Sequence, residues 1–133
     1  MDDIFVGRLM STDVQTVDPE TPVEKAAETL LENRISSLVA VDDENQLVGI
    51  ITSTDFVRLV AEGDPEAITT VGDHMSREVV TVDAQDNVQA AADRFITYDV
   101  HHLPVVDETE GVIGMLSTTD LTAYLSGVET PTP

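Results

Sequence analysis

Two short stretches set hydroxyl and carboxylate side chains at one fixed spacing. They are Thr52-Ser53-Thr54-Asp55, preceded by Gly49-Ile50-Ile51, and Ser117-Thr118-Thr119-Asp120, preceded by Gly114-Met115-Leu116. A hydroxyl followed three residues later by Asp is the pattern of a helix capping box. The same geometry suits a second chemistry. Free backbone N–H groups and the positive dipole end of a helix can hold a phosphate beside the Thr or Ser hydroxyl. The carboxylate one turn in can accept hydrogen bonds from both hydroxyls of a ribose. The motif alone leaves the capping role and the binding role open.

The elements that must position these groups are repeated. Val6-Gly7 with Met10-Ser11 recurs as Val71-Gly72 with Met75-Ser76, and the shift of about 65 residues then holds without a gap. Thr16-Val17-Asp18 returns as Thr81-Val82-Asp83, Val41-Asp42 as Val106-Asp107, and Gly49 as Gly114. Each copy reads as strand, helix, strand, strand, helix. Val14 to Val17 forms a short first strand, and Thr21-Pro22-Val23-Glu24 then offers an N-cap, a proline at the first helical position and the Glu of a capping box. Val23, Ala26, Ala27, Leu30 and Leu31 make one apolar helical stripe, and Val88, Ala91, Ala92, Phe95 and Ile96 repeat it behind a box of Asp86 and Gln89. Leu38 to Val41 and Leu47 to Ile51 flank a polar turn and form a hairpin, as do Leu103 to Val106 and Val112 to Leu116. A second helix runs from near Thr54 to Gly63. A right-handed crossover makes strand one parallel to strand two, so each copy is expected to be a three-stranded sheet covered by two helices.

Composition narrows the function. The chain has 133 residues with 26 acidic and 6 basic side chains, a formal charge of −20, and Lys25 is its only lysine. The acidic residues are spread among Val and Thr instead of forming a tail, which counts against disorder. Such a surface repels itself at ordinary salt and loses that penalty when salt screens it, so the composition resembles that of halophilic proteins and suggests a halophilic archaeon. With no basic stripe to neutralise phosphates, nucleic acid is not an expected partner. Cysteine is absent, which excludes disulfides and thiolate metal sites. No signal peptide or membrane span is read from the sequence, and a cytoplasmic protein without membrane association is expected. Enzyme chemistry lacks its parts: there is no thiol, no Gly-rich phosphate loop and no ordered Ser-His-Asp set, and His74, His101 and His102 have no metal-ligand company.

The tandem repeat, the start Val-Gly-x-x-Met-Ser, the hairpin His102-Leu103-Pro104-Val105-Val106-Asp107 and the closing hydroxyl-x-x-Asp motif resemble the cystathionine-β-synthase (CBS) domain family over nearly the whole chain. The resemblance implies an α/β (α+β) fold of two β-α-β-β-α repeats with pseudo-twofold symmetry and two ligand clefts. Repeat one would span 6–63, a linker 64–70, repeat two 71–127 and a flexible tail 128–133. In ligand-binding members the closing Asp holds a ribose and the Ser or Thr lies near the phosphates. Those roles carry over to Asp55 with Thr52 and to Asp120 with Ser117. The residues before the second strand meet adenine through the backbone and reach phosphates, which matches Ile35, Ser36 and Ser37 in copy one and Val100, His101 and His102 in copy two. Val14, Gln15, Val79 and Val80, on the first strands, would flank the base or serve as plain core. Where relatives carry Arg or Lys this chain has Ser37 and His102, and Val39 stands where the family usually has the proline seen at Pro104.

The resulting expectation is a non-catalytic regulatory module that binds AMP, ADP or ATP, forms a homodimer and passes ligand occupancy to an unknown regulated protein. No cofactor or resident metal is expected. S-adenosylmethionine or a divalent cation as the sensed ligand, or a ligand-free interaction scaffold, are the alternatives.

Overall fold

The computed structural model describes residues 4–63 and 69–127. The expected tail at 128–133 and most of the expected linker lie outside the described residues. The chain divides into two compact units. The first is Gln15–Val79, and the second joins the segment ending at Val14 to the segment beginning at Val80.

In the first unit, β1 (Thr16–Val17) leads to α2 (Val23–Asn33), β2 (Ser37–Val41), β3 (Leu47–Thr52), α3 (Ser53–Glu62) and the short α4 (Val71–His74). β1 pairs parallel to β2, and β2 pairs antiparallel to β3 with Ser37 opposite Thr52. The crossover and the hairpin expected from the apolar pattern are therefore present. The second unit opens with α1 (Val6–Leu9), and α5 (Val88–Tyr98), β4 (His102–Asp107), β5 (Gly111–Ser117) and α6 (Thr118–Ser126) follow.

Here the first strand shrinks to one parallel bridge, Val82 with Val105. Val82 N–H donates to Pro104 O at 3.0 Å and Val106 N–H to Val82 O at 3.0 Å. A further rung matching Thr16 opposite Val39 would need the backbone N–H of residue 104, and proline has none. The substitution of Pro104 for Val39 thus leaves a two-stranded sheet where three strands were expected.

Each unit contains the opening helix of the other sequence repeat. Val71 and Met75 pack with Ala26, Leu30, Leu38, Ala40 and Ile51 in the first unit. Val6 packs with Val82, Ala91, Phe95, Leu103, Val105 and Leu116 in the second. Burying one such aliphatic side chain stabilises a fold by roughly 1.5–3 kcal/mol, so these helices matter to the cores they enter. Close backbone approach fixes their seats. A side-chain carbon on Gly49 would lie 2.9 Å from Ser76 O, and one on Gly114 would lie 3.0 Å from Ser11 O, so only glycine lets Met75-Ser76 and Met10-Ser11 run against β3 and β5.

The helix starts differ from the expected boxes. The α2 N-cap is Pro22, with extended ψ of 143°, and no side chain caps it. Val23 N–H is satisfied instead by Thr69 O at 3.1 Å. In α5 the cap is Asn87, whose side chain accepts from Gln89 N–H, while Val88 N–H donates to Ile4 O at 2.8 Å. Asp86 is not the cap. Its carboxylate accepts from Asp83 N–H and pairs with Arg94 at 3.1 Å. The apolar stripes are also narrower than their sequence pattern. Val23, Ala26 and Leu30 are buried, yet Leu31 is 80% exposed and its counterpart Ile96 83%.

Candidate functional site

Both hydroxyl-x-x-Asp stretches sit where a strand ends and a helix begins. Thr52 closes β3 in extended conformation (φ −121°, ψ 167°) and caps α3, and Ser117 (φ −116°, ψ 163°) does the same between β5 and α6. Asp55 Oδ2 accepts from Thr52 N–H at 2.8 Å and from Thr52 Oγ1 at 3.2 Å. Asp120 Oδ2 accepts from Ser117 N–H at 2.8 Å, and Ser117 Oγ accepts from Asp120 N–H at 3.1 Å. The capping role is thus realised in both copies. It occupies one oxygen of each carboxylate and leaves Oδ1 for another partner.

A third Thr-x-x-Asp box, Thr70 to Asp73 at the start of α4, shows what the pattern does when it only caps. Asp73 is exposed, and the Thr70 backbone and side-chain hydrogen bonds hold its carboxyl below the ordinary value. Asp120 carries the same kind of box but is 1% exposed. Burial pushes its carboxyl above the ordinary 3.8, outweighing the Ser117 bonds that act in the other direction.

The residues entering the second strand are brought to these helix starts. Ser36 O accepts from Ser53 N–H at 2.9 Å, and His101 O accepts from Thr118 N–H at 3.1 Å. Ser37 lies opposite Thr52 and His102 opposite Ser117 in the antiparallel ladders. Ile35 and Val100 pack partly buried against their cores, and their N–H groups are committed to Leu30 O at 3.1 Å and Phe95 O at 3.2 Å. They close the ends of α2 and α5 behind the left-handed residues Arg34 and Asp99. Of their peptide groups, only the carbonyls remain for an adenine edge.

Burial, helped by neighbouring His101, lowers the pKa of His102 from 6.5 and so disfavours its charged form. Val14, Gln15, Val79 and Val80 lie outside any strand, in the segments where the two units divide. The expected placement on first strands is therefore corrected, because the ladder of β1 reaches back only to Thr16. Among the described residues, no three His, Cys, Asp or Glu side chains converge to hold a metal ion. No helix among them is long and apolar enough to cross a membrane.

Arg58 is a participant that the sequence reading passed over. Its Nη1 donates to Asp55 Oδ1 at 3.2 Å. A basic residue one helical turn after the motif was the available signal.

Comparison with known proteins bears on both repeats. The family model described as CBS domain matches residues 6–62 and 71–127. The CBS domain pair of protein MJ0100, in complex with 5'-methylthioadenosine and S-adenosyl-L-methionine, superposes with a TM-score of 0.88 at 28% identity, covering 95% of this chain and 98% of that one. CBSX2 in complex with AMP gives a TM-score of 0.79 at 28% identity, covering 92% and 96%. An uncharacterized 17.7 kDa protein of Acidianus ambivalens is 30% identical over 94% of this chain and 75% of its own length. A homoserine O-acetyltransferase of Methanococcus vannielii is 30% identical over 89% of this chain, which spans 24% of that protein. The fold, the two hydroxyl-x-x-Asp helix starts and these matches agree, and the chain belongs to the CBS domain family as a tandem pair of its repeats.

Proposed function

We propose that this non-catalytic CBS pair senses an adenosine-containing ligand, AMP, ADP or ATP in the first instance, and passes its occupancy to a partner protein. The observation that carries this reading is the division of labour within Asp120. One carboxylate oxygen holds the helix cap, while the other is buried without a hydrogen-bond partner. A scaffold gains nothing from such an oxygen, since a buried unsatisfied acceptor is destabilising by roughly 1–3 kcal/mol. Ribose hydroxyls are donors that would satisfy it. Relatives in complex with AMP, 5'-methylthioadenosine and S-adenosyl-L-methionine support the reading, because adenosine is what those three ligands share.

Calorimetric titration with AMP and adenosine tests it. Asp55→Asn and Asp120→Asn are each expected to remove one site while the helix cap persists through the remaining oxygen. Binding unchanged in both variants would leave the motif with a capping role alone.

S-adenosylmethionine is the second reading, and a specific observation favours it over ATP. The chain carries a formal charge of −20, and the two positions that the family resemblance assigns to phosphate contact hold Ser37 and a histidine whose charged form is disfavoured. A sulfonium gains from that field, whereas a triphosphate is repelled by it. The same charge fits a salt-rich cytoplasm.

A homodimer completes the proposal. Leu31 and Val60 in the first unit are 80% and 82% exposed, and Ile96 and Leu125, 65 residues on, are both 83% exposed. Apolar side chains left outside on matching helix positions are suited to a second copy. Leu31→Glu combined with Ile96→Glu is expected to sediment as a monomer, and an unchanged dimer mass would place the interface elsewhere.

A further inference from the structure

The two repeats match closely at the helix cap and differ at the oxygen that the cap leaves over. In the first unit Asp55 Oδ1 is paired with Arg58 at 3.2 Å, with side-chain exposures of 12% for the aspartate and 59% for the arginine. In the second unit the position of Arg58 is taken by Ala123, which carries no donor, and Asp120 Oδ1 is buried without a partner.

We propose that the two carboxylates form unequal sites, with Asp120 holding adenosine more tightly and Arg58 guarding Asp55 as an internal competitor that the ribose must displace. This rests on the ribose role proposed above for both aspartates.

The asymmetry follows from what each oxygen has before a ligand arrives. A hydroxyl donating to Asp120 Oδ1 supplies a charge-assisted bond to an acceptor that otherwise lacks one, so the bond counts in full. At Asp55 the same donor replaces an existing ion pair, and only the difference counts. A pair whose arginine lies in solvent is weak, but it is worth a few-fold in an equilibrium constant. The raised pKa of Asp120 points the same way, because its carboxylate is under-solvated and a donor reaching it relieves that state. Asp120 Oδ1 is sealed from solvent, so the atoms covering it must yield before a hydroxyl arrives. That requirement offsets part of the gain, and the preference left over is about tenfold.

Adenosine is the right probe, because Arg58 could also attract a phosphate and blur the comparison. Calorimetric titration of the full chain with adenosine is expected to resolve two classes of site that differ by about tenfold. Asp120→Asn should remove the tighter class. Arg58→Ala should tighten the weaker class about threefold and leave the tighter one alone, while Arg58→Lys, which keeps the cation, should resemble the parent. Two equal sites in the parent, or a weaker class untouched by Arg58→Ala, would overturn the inequality while leaving the sensing function intact. Adenosine binding that survives Asp55→Asn with Asp120→Asn, or that is absent from the parent, would overturn the ribose role itself.

Discussion

Raising salt from about 0.1 M to above about 1 M is expected to raise the melting midpoint of the chain by ten degrees or more, because the Debye length shrinks from about 10 Å to about 3 Å. With 26 acidic and 6 basic side chains, one-to-one pairing can neutralise at most six carboxylates. The rest repel one another. The pattern is visible on α2, where exposed Glu24, Glu28 and Glu32 follow at intervals of four residues and form a row of like charges. Such i,i+4 pairs destabilise a helix by a few tenths of a kcal/mol each. The β2–β3 turn adds exposed Asp42, Asp43 and Glu44. There, Asp42 at least accepts from Glu44 N–H and Gln46 N–H, both at 2.9 Å. Circular dichroism melts across a potassium chloride series measure the effect. Replacing Glu24, Glu28 and Glu32 by Gln should flatten the dependence by weakening the repulsion that salt screens. A midpoint that stays constant across the series would show that the acidic surface does not limit stability.

The hairpins and the helix α3 were legible in the sequence because their signals are local. A short apolar run, a polar turn and a terminal glycine state their own structure, and β2, β3, β4 and β5 fall where those runs lie. The helix caps at Thr52 and Ser117 were legible for the same reason. What escaped depended on distant chain. Thr21 and Asp86 were expected to cap their helices, but the first N–H groups of α2 and α5 are taken by carbonyls of Thr69 and Ile4, which no local pattern reveals. The assignment of α1 and α4 escaped for a related reason. Self-similarity gives the same pattern whether Val6 packs into its own repeat or into the other, so only the fold could show that Val6 joins Phe95 and Leu103 while Val71 joins Leu30 and Leu38.

The site shows the same division. Asp55 and Asp120 were read as equivalent because comparing repeats rewards identity, and the informative position was one where they differ. Arg58, one turn beyond the motif, pairs with the oxygen that the Asp55 cap leaves over, and Ala123 at the matching position carries no donor. Likewise Pro104 was visible as a departure from Val39, yet its effect, a missing rung beside Val82, follows only once the parallel register is known.

Asp120→Asn is expected to raise the melting midpoint at neutral pH by a few degrees even as it abolishes the adenosine binding proposed for its unit. The carboxylate is buried, and its raised pKa is the net result of desolvation against the Ser117 hydrogen bonds, so the environment disfavours the charge after those bonds are counted. A group whose folded-state pKa lies above its unfolded value holds more protons when folded in the interval between the two. Its ionisation therefore removes stability as pH rises from 3.8 through the folded value, and the full penalty is present at neutral pH. Asparagine keeps an oxygen for Ser117 N–H, carries no charge and escapes the penalty. It does forgo the attraction between a carboxylate and the helix N-terminus, typically about 0.3–1 kcal/mol, which offsets part of the gain. The gain should shrink on acidification and vanish below about pH 3.8, where the parent carboxyl is protonated as well. His102 also titrates in this unit with the opposite slope. Its lowered pKa means stability that is complete above 6.5 and lost as pH falls below it. That loss is common to parent and variant, so the difference between their melting curves isolates the aspartate. Melts of both proteins from pH 4 to 8 at constant high salt are the measurement. A variant less stable than the parent at neutral pH would mean that Asp120 serves the fold as a charged cap, and that its unpaired oxygen is no mark of a binding site.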